Sequence, residues 1–421
     1  MKQLLLLLCC LEVLFATFLV NTLGPYLSPV VFVSLSLGIG FVYLRISSAP
    51  ALAVTVLRPG RIISIVHWAL FLGLSFYVIS QLKHYWWYHL SYGDTKSSSD
   101  VIPQITTLVQ RFLQGEQPYY TIQFPEYTLF PTYLPFQWMP YIICEWLHKD
   151  YRWVPTLALW IVSCYHFINS RKAATSVFLQ LFVPIWPLLV WLVFILHDWK
   201  VFVFTVEGLI AGYYFFVAAG LSRKRPWLFV PAIALCLLSR YSIVFWVPLC
   251  LLLLFVAGYR RQAIATGVTI LACFVLFYWM PFLRKDPQIF MKGYAYHTNA
   301  AYGEWLRDLN TFGGKVYLLN GLGFTSYALK WLPGDEGHIL MLYKNIHLAV
   351  CAITVLLLGG YFIRYRTRYD VNTFLLFSFK VYLAVFYAFI QIPYKYLMIV
   401  PIMVSAALLG SVFRGHTVKE R

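Results

Sequence analysis

The sequence predicts an all-α, polytopic membrane protein with about twelve transmembrane helices. Of its 421 residues, 61% are hydrophobic and only 12% are charged, whereas soluble domains are about half apolar and a quarter charged. Aromatic residues make up 19% of the chain, and Tyr and Trp favour the headgroup layer of a bilayer. Apolar runs of about 20 residues, the length that crosses the hydrocarbon layer, recur along the chain.

These apolar runs predict the individual spans. The candidates are 3–22, 27–44, 62–82, 152–169, 174–196, 200–221, 226–241, 243–258, 263–283, 342–363, 372–392 and 395–413. Residues 132–148 form a further apolar helix, which Pro135 and Pro140 interrupt. Residues 3–20 also have the length of a signal peptide, but no small-residue cleavage site follows, so a retained helix is expected.

The distribution of charge orients the spans. With about twelve crossings both termini share one face, and that face carries the basic clusters at 222–226 and 259–262 with few acids. An excess of Lys and Arg marks the cytoplasmic side. A crossing at 132–148 would turn both clusters outward. Residues 132–148 are therefore expected to be interfacial or re-entrant on the outer side.

The orientation divides the chain into two parts. Residues 1–61 are predicted to be an N-terminal transmembrane hairpin with a cytoplasmic loop, and residues 62–421 the transmembrane body. The body carries two extracytoplasmic loops, loop A at 83–131 and loop B at 284–341. Both are short and rich in Tyr, Trp, Gly and Pro, so short helices on the membrane surface are expected. The net charge of +17 does not indicate nucleic acid as a partner, because the basic residues are scattered at the ends of apolar runs.

Loop A contains the first candidate for chemistry. Asp100 precedes residues 101–113, in which apolar residues recur at helical spacing. An Asp at the start of a helix is a good N-cap, so a capping role and a chemical role are both open. Asp94 follows Gly93, a pair that favours a turn, and a direct role for Asp94 is also open.

The residues after this helix favour the chemical role. A G-x-x-P-Y motif occupies 115–119, and a Y-x-P motif at 133–135 opens the next apolar helix. This order resembles the GT-C fold glycosyltransferases, most closely the family 87 mannosyltransferases that use polyprenyl-phosphate mannose. The resemblance extends in patches over 62–413, to a helix ending in Arg240 and to the Y-K-Y triplet at 394–396. The chain departs from the family in having three helices before the acidic loop, where the family usually has one.

The resemblance implies inverting transfer of a sugar, mannose in the named family, from a polyprenyl phosphate to a glycan or glycolipid acceptor on the outer face. A lipid phosphate is already a good leaving group. The reaction therefore needs a base for the acceptor hydroxyl and cations for the phosphate. Asp100 is the expected base, with Asp94 as the second candidate. The expected phosphate-binding residues are Arg240, Lys395, His297 and Arg307, and supporting roles are expected for His197, Asp198 and Tyr119.

Simpler interpretations remain for several of these residues. Arg240 and Lys395 could reach lipid headgroups from the ends of their helices, and the aromatic residues of loop B could be ordinary interfacial residues. Glu207 and Lys380, which lie within predicted spans, are interpreted as buried polar contacts or cavity lining. No cofactor is expected. A divalent metal is left open, with little to motivate it, because only Asp94 and Asp100 lie close together.

Two other functions are kept as alternatives. A secondary transporter would use ionisable groups at membrane depth, and Glu12, Glu207 and Lys380 are candidates for such groups. However, no inverted repeat is visible and both long loops share one face, which favours an enzyme working at one surface. A lipid-linked polysaccharide polymerase or ligase is the other alternative, since it also needs large outer loops and basic residues.

Overall fold

The protein is described by a computed structural model, and the part of the chain that it describes is mostly helical. The structure describes residues 1–20, 22–49, 61–87, 99–124, 127–171, 177–307, 315–319 and 322–413. The α-helices are α1 Lys2–Leu14, α2 Gly24–Ser48, α3 Arg61–His84, α4 Val101–Leu113, α5 Pro135–Trp138, α6 Ile142–Leu147, α7 Trp153–Ser170, α8 Val177–Phe182, α9 Trp186–Asp198, α10 Lys200–Val203, α11 Glu207–Ser222, α12 Pro226–Leu237, α13 Trp246–Val256, α14 Arg260–Phe274, α15 Ile289–Leu306, α16 Val316–Leu319, α17 Thr325–Trp331, α18 Glu336–Tyr365, α19 Val371–Ala388 and α20 Ile399–Val412. The π-helical segments Phe15–Leu19 and Val275–Leu283 continue α1 and α14, and the 3₁₀ turn Lys395–Met398 leads into α20.

Seven helical segments of the described chain are long and apolar enough to cross a membrane. They are Lys2–Leu19, Gly24–Ser48, Arg61–His84, Arg260–Leu283, Glu336–Tyr365, Val371–Ala388 and Lys395–Val412. Four shorter helices, α9, α11, α12 and α13, are also apolar. The prediction of an all-α, polytopic membrane protein is confirmed at this level, while the full count of spans stays a prediction.

The apolar helices differ in how much of their surface the protein covers. In α3, only 22% of the most apolar stretch is buried inside the protein. In Arg260–Leu283 the corresponding share is 17%, although both segments are rich in hydrophobic side chains. Helix α19 and the segment Lys395–Val412 are 83% and 78% buried. Exposed apolar helices are stable where lipid replaces water. The helices α19 and α20 therefore form the centre of the body, and α3 and α14 its apolar outer surface.

Three predicted spans are interrupted. The run 174–196 is split between α8 and α9 at residues 183–185, where Pro184 lacks the N–H that a helix needs. The run 200–221 is split between α10 and α11, where the Thr205 hydroxyl accepts a hydrogen bond from the Glu207 N–H at 3.2 Å. The run 226–241 ends early at Leu237. Residue Arg240 consequently lies in extended backbone, with φ −157° and ψ 140°, rather than at a helix end.

Loop A combines a surface helix with a small hairpin. Helix α4 buries one apolar face, consisting of Ile102, Ile105, Leu108 and Val109. Strand β1, Ile122–Gln123, pairs antiparallel with β2, Thr128–Leu129. The sequence does not predict this hairpin, because strands of two residues have no periodicity to detect. The apolar segment 132–148 is broken into short helical pieces at its prolines, as expected.

The N-terminal hairpin is joined to the body by a buried ion pair. Glu12 of α1 accepts a hydrogen bond from Lys380 of α19 at 2.6 Å, and both side chains are fully buried. The Ser405 hydroxyl of α20 donates to the other carboxylate oxygen at 2.6 Å, and the Ser36 hydroxyl of α2 also donates to Glu12. The expectation that Lys380 makes a buried polar contact is confirmed, and α1 and α2 pack against α20 and α19 of the body.

Candidate functional site

Asp100 occupies the N-cap position of α4 but does not cap the helix with its side chain. Its Oδ2 instead accepts a hydrogen bond from the Tyr127 hydroxyl at 2.7 Å. The neighbouring Ser99 hydroxyl donates to the Phe204 carbonyl at 2.9 Å and accepts from the Val101 N–H at 3.3 Å. The capping interpretation of the Asp100 carboxylate is therefore wrong, and the carboxylate is held by another side chain.

Four tyrosines interact with the Asp100 carboxylate. Besides Tyr127, they are Tyr133, Tyr296 and Tyr394. Burial raises the pKa of each of these three phenols, and the negative charge of Asp100 raises it further. All four tyrosines nevertheless keep part of their surface accessible, as Asp100 does. Side chains that are partly desolvated and still partly accessible are typical of the lining of a recess. Asp100 and these four tyrosines are called the Asp100 recess below.

A buried ion pair borders the same recess. Arg240 donates to both carboxylate oxygens of Glu207, at 2.5 and 2.9 Å, and to the Tyr387 hydroxyl at 3.4 Å. The Glu207 side chain is 2% exposed and that of Arg240 18%. Tyr133 interacts with the charges of Asp100, Glu207 and Arg240. The interruptions after α10 and after α12 thus bring two residues of separate predicted spans to Tyr133, a residue of the recess.

Tyr119 holds the Tyr133 segment in place. Its side chain is buried, and its hydroxyl donates to the Tyr133 carbonyl at 3.0 Å and accepts from the Trp138 indole N–H at 3.1 Å. The two tyrosines come from the two motifs found in the sequence, 115–119 in loop A and 133–135 just after it. The structure therefore gives Tyr119 a positioning role, through its contact with the backbone of a recess residue.

The other predicted residues that the structure describes have partners of their own. Arg307 pairs with Glu304 at 3.0 Å and interacts with Tyr394. Lys395 interacts with Asp198, and its chain neighbours Tyr394 and Tyr396 stack with ring centroids 5.0 Å apart. His197 packs on Phe18 with ring centroids 4.7 Å apart, and His297 lies beside Lys344. Asp94 lies outside the described residues.

The structure also contains an apolar groove. It has a volume of about 510 Å³ and is lined by apolar side chains and two tyrosines from α12, α13, α14 and the segments beside them. Leu134, which follows Tyr133, and Tyr241, which follows Arg240, belong to its wall. The groove is therefore connected through the backbone to a recess residue and to the guanidinium that borders the recess.

The chain matches no protein-family model, no curated protein and no solved structure. Among the residues described, no three His, Cys, Asp or Glu side chains are grouped so as to hold a metal ion. The interpretation of the site therefore depends on its own geometry.

Sequence reasoning identified Asp100 and Arg240 but missed most of their partners. Glu207 was expected to make a buried polar contact, which the structure confirms, but not one to Arg240. The tyrosines Tyr127 and Tyr296 carry no local signal, since they are two of 31 in the chain. Tyr133 was detectable, because it opens the Y-x-P motif.

The positioning role of Tyr119 predicts a measurable cost. Tyr119→Phe removes the acceptor of the Trp138 indole and the donor to Tyr133, and a buried polar group without a partner costs about 1–3 kcal/mol. We expect the variant to unfold at a lower temperature in detergent. The matched control is Tyr120→Phe, because the adjacent Tyr120 is 60% exposed and should change stability little. Equal melting temperatures for wild type and Tyr119→Phe would contradict the assigned role.

Proposed function

We propose that this protein is a membrane glycosyltransferase that moves a sugar from a polyprenyl phosphate to a hydroxyl group of a glycan or glycolipid acceptor. One observation carries the proposal. The Asp100 carboxylate and the Arg240 guanidinium both interact with Tyr133. The next residues along the chain, Leu134 after Tyr133 and Tyr241 after Arg240, line an apolar groove of about 510 Å³. A pocket that joins a few placed polar groups to a long apolar surface suits a ligand with a polar head and an apolar chain.

In the proposed reaction, Asp100 is the general base. It takes the proton of the acceptor hydroxyl while that oxygen forms a bond to the anomeric carbon of the donor sugar. The bond from the anomeric carbon to the phosphate oxygen breaks, and polyprenyl phosphate leaves with the electron pair. Attack from the face opposite the leaving group inverts the anomeric configuration. The Tyr127 hydroxyl orients the carboxylate through Oδ2, and Oδ1 accepts no hydrogen bond from the described residues.

The proposed phosphate-binding groups are those expected from the sequence, Arg240, Lys395, His297 and Arg307, and Asp94 remains the second candidate for the base. The accessible edge of Arg240 supports its inclusion, because the guanidinium has five N–H donors and Glu207 and Tyr387 do not use its Nε–H. The proposed location is the bacterial plasma membrane, with the recess on the outer face and both termini in the cytoplasm.

The transporter alternative draws on the Glu12–Lys380 pair at membrane depth. Both members are fully buried and hydrogen-bonded to serine hydroxyls. A transported solute or proton needs access to the groups that bind it, so this arrangement favours a structural role for the pair.

The test is an assay of purified wild-type protein in lipid nanodiscs with radiolabelled polyprenyl-phosphate sugars and a panel of glycan and glycolipid acceptors. We expect labelled product whose new linkage has the inverted anomeric configuration by NMR. Nucleotide sugars alone should give none. Absence of product from every lipid-linked sugar, together with solute uptake by vesicles that contain the protein, would overturn the proposal in favour of the transporter.

A further inference from the structure

The half-buried cations of the predicted outer face differ in what balances their charge. Three of them form ion pairs: Arg152 with Asp150, Arg240 with Glu207 and Lys315 with Glu336. Lys395 interacts with Asp198, and Arg111 donates to three backbone carbonyls. Lys344 is different, because it has no carboxylate or carbonyl partner within the described ranges.

Lys344 lies in the first turns of α18 and points towards α15. Its ammonium donates to the Thr298 hydroxyl at 2.9 Å and lies 5.2 Å from the centroid of the Tyr294 ring. An ammonium has three N–H donors, so the hydroxyl satisfies only part of it. A half-buried charge without a counter-ion is costly, and an anion bound here would offset that cost.

His297 adds a second group to the same place. It precedes Thr298 on α15, and its pKa is lowered by burial and by the charge of Lys344. More than a third of its surface is nevertheless accessible, so the imidazole lies in a recess that a ligand can enter. A neutral imidazole can donate one N–H. Lys344 and Thr298 thus place an ammonium and a hydroxyl within hydrogen-bonding distance of each other, and the His297 imidazole interacts with the same ammonium charge.

This cluster adjoins the Asp100 recess through α15. Tyr296, a recess residue, immediately precedes His297, and its hydroxyl lies 3.5 Å from the Thr128 carbonyl of the hairpin. The cluster also borders the apolar surface of α18, since Met341 and Leu348, on either side of Lys344, are 62% and 51% exposed. A ligand at this point would meet donors for an anion and, beside them, a surface that favours hydrocarbon.

We propose that Lys344, Thr298 and His297 bind the phosphate group of a lipid, and that this lipid is the polyprenyl-phosphate donor. The second part rests on the proposed function. A phosphate has several acceptor oxygens and can accept from an ammonium and a neighbouring hydroxyl together, and lysine is a regular phosphate-binding residue. The sequence-based candidates Arg240, Lys395 and Arg307 each already interact with an acid, so their charge is partly neutralised. Lys344 has no acidic partner among the described residues, so its full charge is available to an anion.

The experiment measures binding of farnesyl phosphate to the purified full-length protein in nanodiscs, with farnesol and inorganic phosphate as comparison ligands. Lys344→Met should weaken farnesyl phosphate binding by roughly 10- to 100-fold, the value of a hydrogen bond to a charged group, and leave farnesol binding unchanged. Lys344→Arg should retain most of the binding. The matched control is Lys330→Met, because Lys330 is an exposed cation beside the Tyr26 and Trp331 rings and should not affect binding.

The outcomes distinguish a donor-specific site from a general headgroup site, and they test the phosphate site separately from the proposed glycosyltransferase function. Unchanged farnesyl phosphate binding in a Lys344→Met variant with wild-type melting temperature would overturn the site. Equal weakening of farnesyl phosphate and of phosphatidylglycerol would identify a general headgroup site and overturn its assignment to the donor. Binding that depends on Lys344 in a protein without transferase activity would keep the phosphate site while the proposed function fails. If Lys344→Met transfers sugar with an unchanged KM for the donor, the proposed function stands and the phosphate site at Lys344 is overturned.

Discussion

Asp100→Asn is expected to lower the rate of sugar transfer by about 100- to 10,000-fold, the usual contribution of a general base. Asparagine has nearly the same shape as aspartate, and its amide oxygen can still accept the hydrogen bond of Tyr127. However, the amide cannot take the proton of the acceptor hydroxyl. The KM for the lipid donor should therefore change little, whereas kcat falls. Initial rates with labelled polyprenyl-phosphate sugar at saturating acceptor measure both.

The matched control is Asp286→Asn. Asp286 belongs to loop B and forms an ion pair with Lys292 at 2.7 Å, in which the two side chains are 27% and 46% exposed. Its loss should leave the transfer rate unchanged. Full activity in Asp100→Asn would contradict the base assignment, and the same assay on Asp94→Asn would then decide whether the second candidate has that role.

Lys380→Met is expected to have the largest effect on stability. It leaves the carboxylate of Glu12 fully buried without its counter-ion, and breaking a buried pair in this way costs about 3–5 kcal/mol. Glu12→Gln should be destabilising for the same reason, because it leaves the ammonium unpaired. The double variant Glu12→Gln/Lys380→Met should recover most of the loss, since it removes both charges. Thermal unfolding in detergent gives the comparison.

A surface pair provides the reference for this measurement. Lys224 and Asp370 lie 2.8 Å apart, but their side chains are 60% and 33% exposed, and pairs of this kind contribute about 0–1 kcal/mol. Lys224→Met should therefore shift the melting temperature only slightly. If the two buried single variants simply added in the double variant, Glu12 and Lys380 would not be coupled, and the ion pair would not be what holds the N-terminal hairpin to the body.

The candidate site was partly accessible to sequence reasoning. Asp100 and the motifs at 115–119 and 133–135 are local patterns, and the structure brings them together through the hydrogen bond from Tyr119 to the Tyr133 carbonyl. Arg240 was expected at the outer end of a helix, but it lies beyond the helix end in extended backbone. That position depends on where the helix stops, which a hydropathy pattern locates poorly. Lys344 has no local feature that separates it from other interfacial lysines.

The membrane character of this protein follows from the sequence alone, because burial in lipid depends on how apolar a stretch of about 20 residues is. The asymmetry of Lys and Arg between the two faces is likewise a property of composition. Charge pairing was decided only by the tertiary structure. Glu12 and Lys380 are 368 positions apart, and Arg240 meets Glu207 only because two helices end where they do. An ion pair requires atoms within a few ångströms, and the packing of helices against one another sets that distance.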